Sequence, residues 1–595
     1  MKSYTKLYLF IIFGIIAVFL GFFCFNTQSM IGYYKSSIYW FMTLNCALWI
    51  AAIIESYSKE ENRTVLLQRF YSFCKYHWFA FFLSVILMML SVMAFKPDFR
   101  ILADETNLLS VSQSFFNNKD CLLDCSSFTY KSETKDIIIG RLDKRPAFFP
   151  YLLSLIHSVL GYRASNAFIL NFITGLLSLF LIYYLIQLFW GRFWGINALI
   201  CLAAYPLFIV YTNSGGFDVF NMMCSLVFFV CLYNYIKTPN ALQAEVLLLW
   251  IPLLSQSRYE SVLSIVIALP VVFYFLPKQE YSALSYKFVL IPFLFVPPAW
   301  LRIITTDPSN WQVKGGESVF SLEWFGQNLY KAVMFFTLGE EEFGVIPLIS
   351  FLALIGFVVF ISEVYFKKES EFIKRIKCLS VQGFRIFWGT IFVFFIFHAV
   401  AKLSYKLSDF TDLFASRHAI IFLPLFVFMA IVFCVQLSLL YSFKRVLYLI
   451  VSSFLILFYW PQGSKNLCGI INNELYQEFK FSREFLTANF PDKRDFIILS
   501  REAYLYTPLE YNSVYISVYN DLDSFINSYY NNKFCSHFLL FQTLNSQTKL
   551  PYKGYETPNG LETEIIFETH LQKDFIYRIS RCIPKNEVQE VKDEK

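Results

Sequence analysis

Charge is scarce in this chain: Asp, Glu, Lys and Arg make up 16% of its 595 residues, against 56% hydrophobic and 20% aromatic residues. That balance excludes an ordinary soluble domain and points to a polytopic membrane protein. The positive surplus is small as well, +6 over the whole length. Its basic residues cluster between apolar runs and form no continuous face, which argues against nucleic acid as a partner and for topology signals. Histidines are few, six in all, and no Cys/His set has the spacing of a zinc site. No cofactor is implied; a divalent metal is left open, without a dedicated set of ligands. No internal repeat of the kind transporters carry is found.

What is there in quantity is apolar sequence. Measured against a span of about 20 residues, about thirteen runs qualify: Leu7–Phe25, Ile38–Ile54, Trp78–Phe95, Ala167–Phe189, Phe193–Tyr211, Phe217–Ile236, Leu242–Leu254, Ser261–Leu276, Phe288–Ile304, Ile346–Ile361, Phe384–Ala401, Ala419–Leu437 and Val446–Trp460. The first is read as a retained helix, since no small-residue cleavage site follows it. Ala147–Leu160 is too short for a span, and its Pro150 and adjacent basic residues suit an interfacial or re-entrant helix. The basic clusters Lys59/Arg63/Arg69/Lys75 and Lys367/Lys368/Lys374/Arg375/Lys377 fall on one side only if Ala147–Leu160 does not cross. The expectation is therefore an N-terminus inside, a C-terminus outside, and a bacterial inner membrane.

On that topology Lys96–Pro146, Thr212–Gly216, Ser255–Glu260, Thr305–Val345, Lys402–Arg417 and everything after Pro461 lie outside. Two N-terminal helices and a cytoplasmic loop (1–77) precede a catalytic transmembrane module (78–461) whose first external loop is 96–146. A small extracytoplasmic α/β domain (462–595) follows. In it Asp495–Leu499 and Phe538–Phe541 read as buried strands and Asp521–Asn531 as a helix. Cys121 and Cys125, four apart in the first loop, are a disulfide or two reduced thiols with equal claim; most of the other cysteines sit inside apolar runs as small hydrophobes.

The chemistry-bearing residues gather in these external segments. Asp104-Glu105, just past a span, caps the helix that follows or supplies a base, and the residues alone leave both open. Leu108, Leu109, Val111 and Phe115 continue at helical spacing, which predicts a helix along the membrane surface. Lys144-Arg145 before Pro146 anchors an interfacial helix or holds an anionic head group. Asp218 heads a span after the turn Thr212–Phe217. Arg258 and Glu260 lie between two short apolar runs, where ionisable groups are expensive, and are a plain ion pair or part of a site. Ser416-Arg417-His418 anchors its helix at the interface or, with equal claim, supplies another cation to a phosphate site, while Glu340-Glu341-Glu342 reads as a solvated face.

The order of these features resembles the GT-C superfamily of glycosyltransferases. It runs from a span through the acid pair Asp104-Glu105 and the stretch Arg145-Pro146-Ala147-Phe148-Phe149-Pro150-Tyr151 ending in Leu160-Gly161, to Asn171–Phe189 closing with Trp190-Gly191-Arg192-Phe193. The likeness is nearest to the branch of the protein O-mannosyltransferases and lipid A aminoarabinose transferases, good over Phe79–Glu260 and loose from there to Pro461. The resemblance implies a polyprenyl-phosphate-linked sugar as donor and a protein, glycan or glycolipid acceptor outside the membrane. It implies Asp104 as the catalytic acid with Glu105 as its neighbour, Arg145 on lipid phosphate, Asp218 as a second external acid and Arg258 as the external Arg; the residues themselves add Lys144 and Arg417 as further candidate cations for the phosphate and Glu260 as a supporting acid. An insert, Asn117–Ile139, and the lack of an MIR-like domain in Thr305–Val345 depart from the pattern. An inverting transferase is thus expected, with a transporter or flippase of polyprenyl-linked intermediates as the alternative.

Overall fold

The computed structural model describes residues 4–58, 63–129, 135–306, 320–337, 346–366, 378–406, 408, 416–440, 474–493, 495–517, 537–558, 561–572 and 574–584. Contacts divide the chain into two compact units. One comprises Met1–Asp98, Lys144–Leu152 and Ala167–Ile470, the other Phe99–Asp143, Leu153–Asn166 and Ile471–Lys595.

The first unit is helical. Among the described residues nine helices are long and apolar enough to cross a membrane, and the bent pair Arg192–Ala203 and Pro206–Thr212, turned by 71°, makes a tenth. The bend falls at Tyr205, which is extended before Pro206, because proline lacks an N–H and disfavours helical backbone at the residue before it. The runs Leu242–Leu254 and Ser261–Leu276 are the shorter helices Ala241–Ser255 and Tyr259–Phe275; Val446–Trp460 lies outside the described residues. The count of about thirteen spans is therefore not confirmed among the described residues. Ala147–Leu160 is the short helix Phe148–Leu160.

Burial follows position in the bundle. Asp218–Lys237 is central, with Val219, Phe220, Met222 and Leu226 fully enclosed, and the indole of Trp250 donates to the Cys224 carbonyl at 2.9 Å. Thr5–Phe22 is the opposite case: Ile11, Ile15 and Phe19 are exposed. A helix apolar on its open face has hydrocarbon as its natural solvent. The integral, multi-pass character read from composition is borne out. Helices Ile346–Ile361 and Leu423–Leu440 approach at Gly356, where a Cβ would overlap the Met429 carbonyl; small residues permit such close crossings in membranes.

The second unit carries one seven-stranded sheet. Its strands are β1 (Leu123–Thr129), β2 (Lys135–Arg141), β3 (Phe496–Ser500), β4 (Ser513–Tyr515), β5 (His537–Asn545), β6 (Leu561–Gln572) and β7 (Phe575–Pro584), in the order β2-β1-β4-β3-β5-β7-β6. The centre is parallel, β4 and β5 flanking β3. Phe496-Ile497-Ile498-Leu499 is buried throughout, the continuous apolar pattern of a strand covered on both faces. The strands expected at Asp495–Leu499 and Phe538–Phe541 are β3 and β5; the helix expected at Asp521–Asn531 lies outside the described residues.

The insert Asn117–Ile139 supplies β1 and most of β2, an antiparallel pair that joins this same sheet through Ser127 opposite Ser513. Cys121 and Cys125 are both buried and are not bonded to each other. Burial pushes the Cys125 thiol up to about 11, so it is a poor nucleophile at neutral pH.

Candidate active site

Asp104 and Glu105 open the helix Leu102–Asn117, and they differ in what holds them. Glu105 is enclosed, and its Oε2 accepts the Arg100 amide at 2.7 Å. It therefore ties the start of the helix to the residue that precedes the N-cap Ile101. Asp104 is half-buried, its own amide bonded to the Ile101 carbonyl at 3.0 Å, so its carboxylate is the more accessible of the two. The helix is not an amphipathic surface element as expected. Thr106, Ser110 and Ser112 are buried along with Leu108, Leu109, Val111 and Phe115, because β1 and the turns Ala503–Leu505 and Thr507–Leu509 pack around it.

In the helical unit a second group of the expected residues comes together. Helix Ala241–Ser255 ends in a turn from which Gln256 reaches back to the strap Lys144–Phe148. Its side-chain oxygen accepts the Ala147 amide at 3.1 Å and its carbonyl accepts the Phe148 amide at 3.0 Å. The Tyr259 hydroxyl donates to the Lys144 carbonyl. Strap and turn are thereby fixed to each other, and Arg145 and Arg258, both 8% exposed, belong to one bonded frame.

The same turn is sewn to the start of helix Asp218–Lys237: the Ser257 and Ser261 hydroxyls both donate to Asn221 Oδ1, at 2.8 and 3.0 Å. Arg258 forms a buried ion pair with Asp218 and stacks over the Phe217 ring at 4.6 Å. A carboxylate in the first helical turn is favoured by the exposed amides and dipole there, so Asp218 is held from two sides. The supposed Arg258–Glu260 pair does not form. Glu260 instead meets the Lys402 ammonium at 2.8 Å.

Lys402, at the end of helix Val381–Leu403, is the residue that sequence reasoning missed. His398 lies four positions earlier on the same face, 1% exposed. Arg417 opens the helical run that continues as Leu423–Leu440. Next to it His418 Nδ1 is 2.8 Å from the Ser408 hydroxyl, and Arg417 lies within electrostatic range of Lys402. Lys402 was legible as a charge closing the apolar run Phe384–Ala401. Among the described residues no group of three His, Cys, Asp or Glu side chains is placed to hold a metal ion.

Cations held in a buried frame of hydrogen bonds can receive a phosphate without large reorganisation. Residues 144–300, which contain the strap, Asp218, Arg258 and Glu260, match the family model of dolichyl-phosphate-mannose-protein mannosyltransferases. No curated protein sequence matches the chain. Among solved structures, apo ArnT from Cupriavidus metallidurans is 11% identical with a TM-score of 0.48, over 86% of this chain and 98% of its own. The undecaprenyl-phosphate-bound form of ArnT scores 0.46 at 9% identity, over 85% and 98%. The archaeal oligosaccharyltransferase AglB from Archaeoglobus fulgidus, in complex with an inhibitory peptide and a dolichol-phosphate, scores 0.40 at 11% identity, over 78% and 69%. The resemblance read from the sequence to the mannosyltransferase branch is borne out over residues 144–300, which are similar to that family's model.

Proposed function

We propose that this protein is an inverting glycosyltransferase of a bacterial inner membrane that moves a sugar from a polyprenyl-phosphate carrier to an acceptor hydroxyl on the extracytoplasmic side. The N-terminus would be cytoplasmic and the second unit periplasmic. In the reaction the acceptor O–H proton passes to the Asp104 carboxylate. The acceptor oxygen attacks the anomeric carbon from the face opposite the phosphate, and the bond to the carrier breaks with its electron pair on the phosphate oxygen. Inversion follows from a single displacement. Arg258, Arg145 and Lys144, with Arg417, are assigned the leaving phosphate; Asp218 sets the position of Arg258, Glu260 is a supporting acid, and Glu105 holds the helix start that carries Asp104.

The observation that carries this reading is the bonded frame of strap and turn inside the family-matched segment, which keeps Arg145 and Arg258 buried at fixed positions. Stabilising the charge that develops on a leaving group is usually the largest catalytic term, and one lost contact costs about 2.7–4 kcal/mol, roughly a hundred- to a thousandfold in rate.

The test is transfer in proteoliposomes from a polyprenyl-phosphate sugar to extracts of the cell's surface glycans and glycoproteins, with the products read by mass spectrometry. Asp104→Asn, close to isosteric, should abolish transfer and leave accumulation and donor binding unchanged. Glu105→Gln should keep measurable transfer but lower stability by about 1–2 kcal/mol, as expected for a weakened hydrogen bond to the Arg100 amide. Wild-type turnover in Asp104→Asn would reduce Asp104 to a structural role and remove the proposed base.

A further inference from the structure

The donor reading leaves Lys402 and His398 without a task, although both are almost fully enclosed. The Lys402 ammonium is bound by Glu260 at 2.8 Å. His398 is near enough to Glu260, Lys402 and Arg258 to feel their charges. Yet both of its ring nitrogens are buried with no hydrogen-bond partner, and the Phe394 ring lies edge-on against it at 4.3 Å. A buried ion pair contributes little net stability, and unpaired buried nitrogens cost free energy. Such an arrangement inside a helical membrane bundle calls for a role other than stability.

The two carboxylates of the cluster are not equally fixed. Asp218 sits at the start of a twenty-residue helix, where the helix dipole favours a carboxylate, and is held by Arg258. Glu260 belongs to a short 3-10 turn, Tyr259–Leu263, and its carboxylate has Lys402 on one side and the unpaired ring of His398 nearby.

We propose that Glu260 is an anionic placeholder: it neutralises Lys402 while the site is empty, the donor phosphate displaces its carboxylate from Lys402 on binding, and His398 receives the displaced carboxylate through a ring N–H. Lys402 is then a further phosphate-binding residue and His398 a positioning residue. The inference rests on the donor reading above. It keeps every buried charge paired in both states, one charge-assisted contact being exchanged for another, and it makes Glu260 a competitor of the substrate.

The test is titration of the full-length chain in detergent with a synthetic polyprenyl phosphate, read by native mass spectrometry. Removing the competitor, Glu260→Gln, should tighten binding by about tenfold or more, and Lys402→Gln should weaken it by about a hundredfold. In the Lys402→Gln background Glu260→Gln should change nothing, since there is no cation left to release. His398→Phe should weaken binding severalfold when Glu260 is present and not at all in Glu260→Gln. Should Glu260→Gln fail to accumulate, Glu260→Asp, one methylene shorter, shows the same direction at smaller size. Binding that these Glu260 variants leave unchanged or weaken overturns the placeholder and leaves the donor reading intact. No binding by the unaltered chain overturns the donor reading, and the placeholder with it.

Discussion

Removal of Arg258 separates what its guanidinium does for the fold from what it does for a substrate. The Asp218 side chain is 4% exposed and that of Arg258 10%, so Arg258→Ala strands a carboxylate inside the bundle. Breaking a buried pair from one side costs about 3–5 kcal/mol. The helix start returns a part of this, about 0.3–1 kcal/mol, because its amides favour the carboxylate. Loss of the cation over Phe217 adds about 0.5–2 kcal/mol in the other direction. The net loss is about 3–5 kcal/mol, a large share of the stability of any one folded unit. The double variant Asp218→Asn/Arg258→Gln removes both charges of the pair and retains groups able to hydrogen-bond, so it should regain stability to within about 1 kcal/mol of the unaltered chain. Two readings are needed, survival of the monodisperse protein after heating in detergent, and turnover with a polyprenyl-phosphate sugar. The expected outcome is a split: the single variant loses both, while the double variant survives heating and stays about a hundredfold slow. A double variant that regains turnover together with heat resistance would refute the reasoning. Arg258 would then exist to satisfy Asp218, and the leaving-group contact would have to be made elsewhere, with Lys144 and Arg417 next in line.

Gly356→Ala should lower heat survival by about 1–3 kcal/mol through overlap with the Met429 backbone, while Gly389→Ala, whose nearest neighbour would be the Tyr365 hydroxyl at 3.7 Å, should be neutral; equal effects would deny the close crossing. His157, buried between the Ser112 hydroxyl and the Asn166 amide, is held down to about 4 by burial, against an ordinary 6.5. The folded state therefore keeps it neutral where the unfolded state binds a proton. Its contribution is full above pH 6.5 and lost as pH falls towards 4, about 3 kcal/mol in all, and amide exchange in Leu102–Asn117 should quicken over that window and do so less in His157→Gln. In a chain with the exposed Cys24 and Cys74 replaced by Ser, an impermeant thiol reagent applied from outside should label Gln547→Cys and not Gln279→Cys; the reverse pattern would invert the proposed orientation.

The spans were legible because a membrane asks one simple thing of sequence, a run of about 20 apolar residues, and a run such as Ala167–Phe189 needs no partner to be recognised. The strands β3 and β5 were legible for a similar reason: a short, wholly apolar run bounded by polar residues is what a covered strand requires. The insert Asn117–Ile139 was not. Ile137, Ile138 and Ile139 in β2 have strand character, but the sheet they extend is built from residues after Phe496. The single register contact, Ser127 opposite Ser513, joins two serines with no local signal of pairing. What a segment is can be read locally; which edge it completes cannot.

The site divides along the same line. Arg258 and Glu260 stood out because ionisable groups between apolar runs are costly, and the structure encloses both. Pairing them with each other assumed that nearness in sequence is nearness of side chains. Arg258 is extended and Glu260 lies in the 3-10 turn that follows, where residues two apart do not face one another, so each finds its partner on a different helix. The expense rule that singled out Arg258 applies with equal force to Lys402, closing an apolar run, and to His398, one turn before it on the same face. Had it been applied to every charge at the edge of a span, and not only to those in the segments matching a familiar order, Lys402 would have entered the candidate site from the sequence. Its bond to Glu260 would still have required the fold.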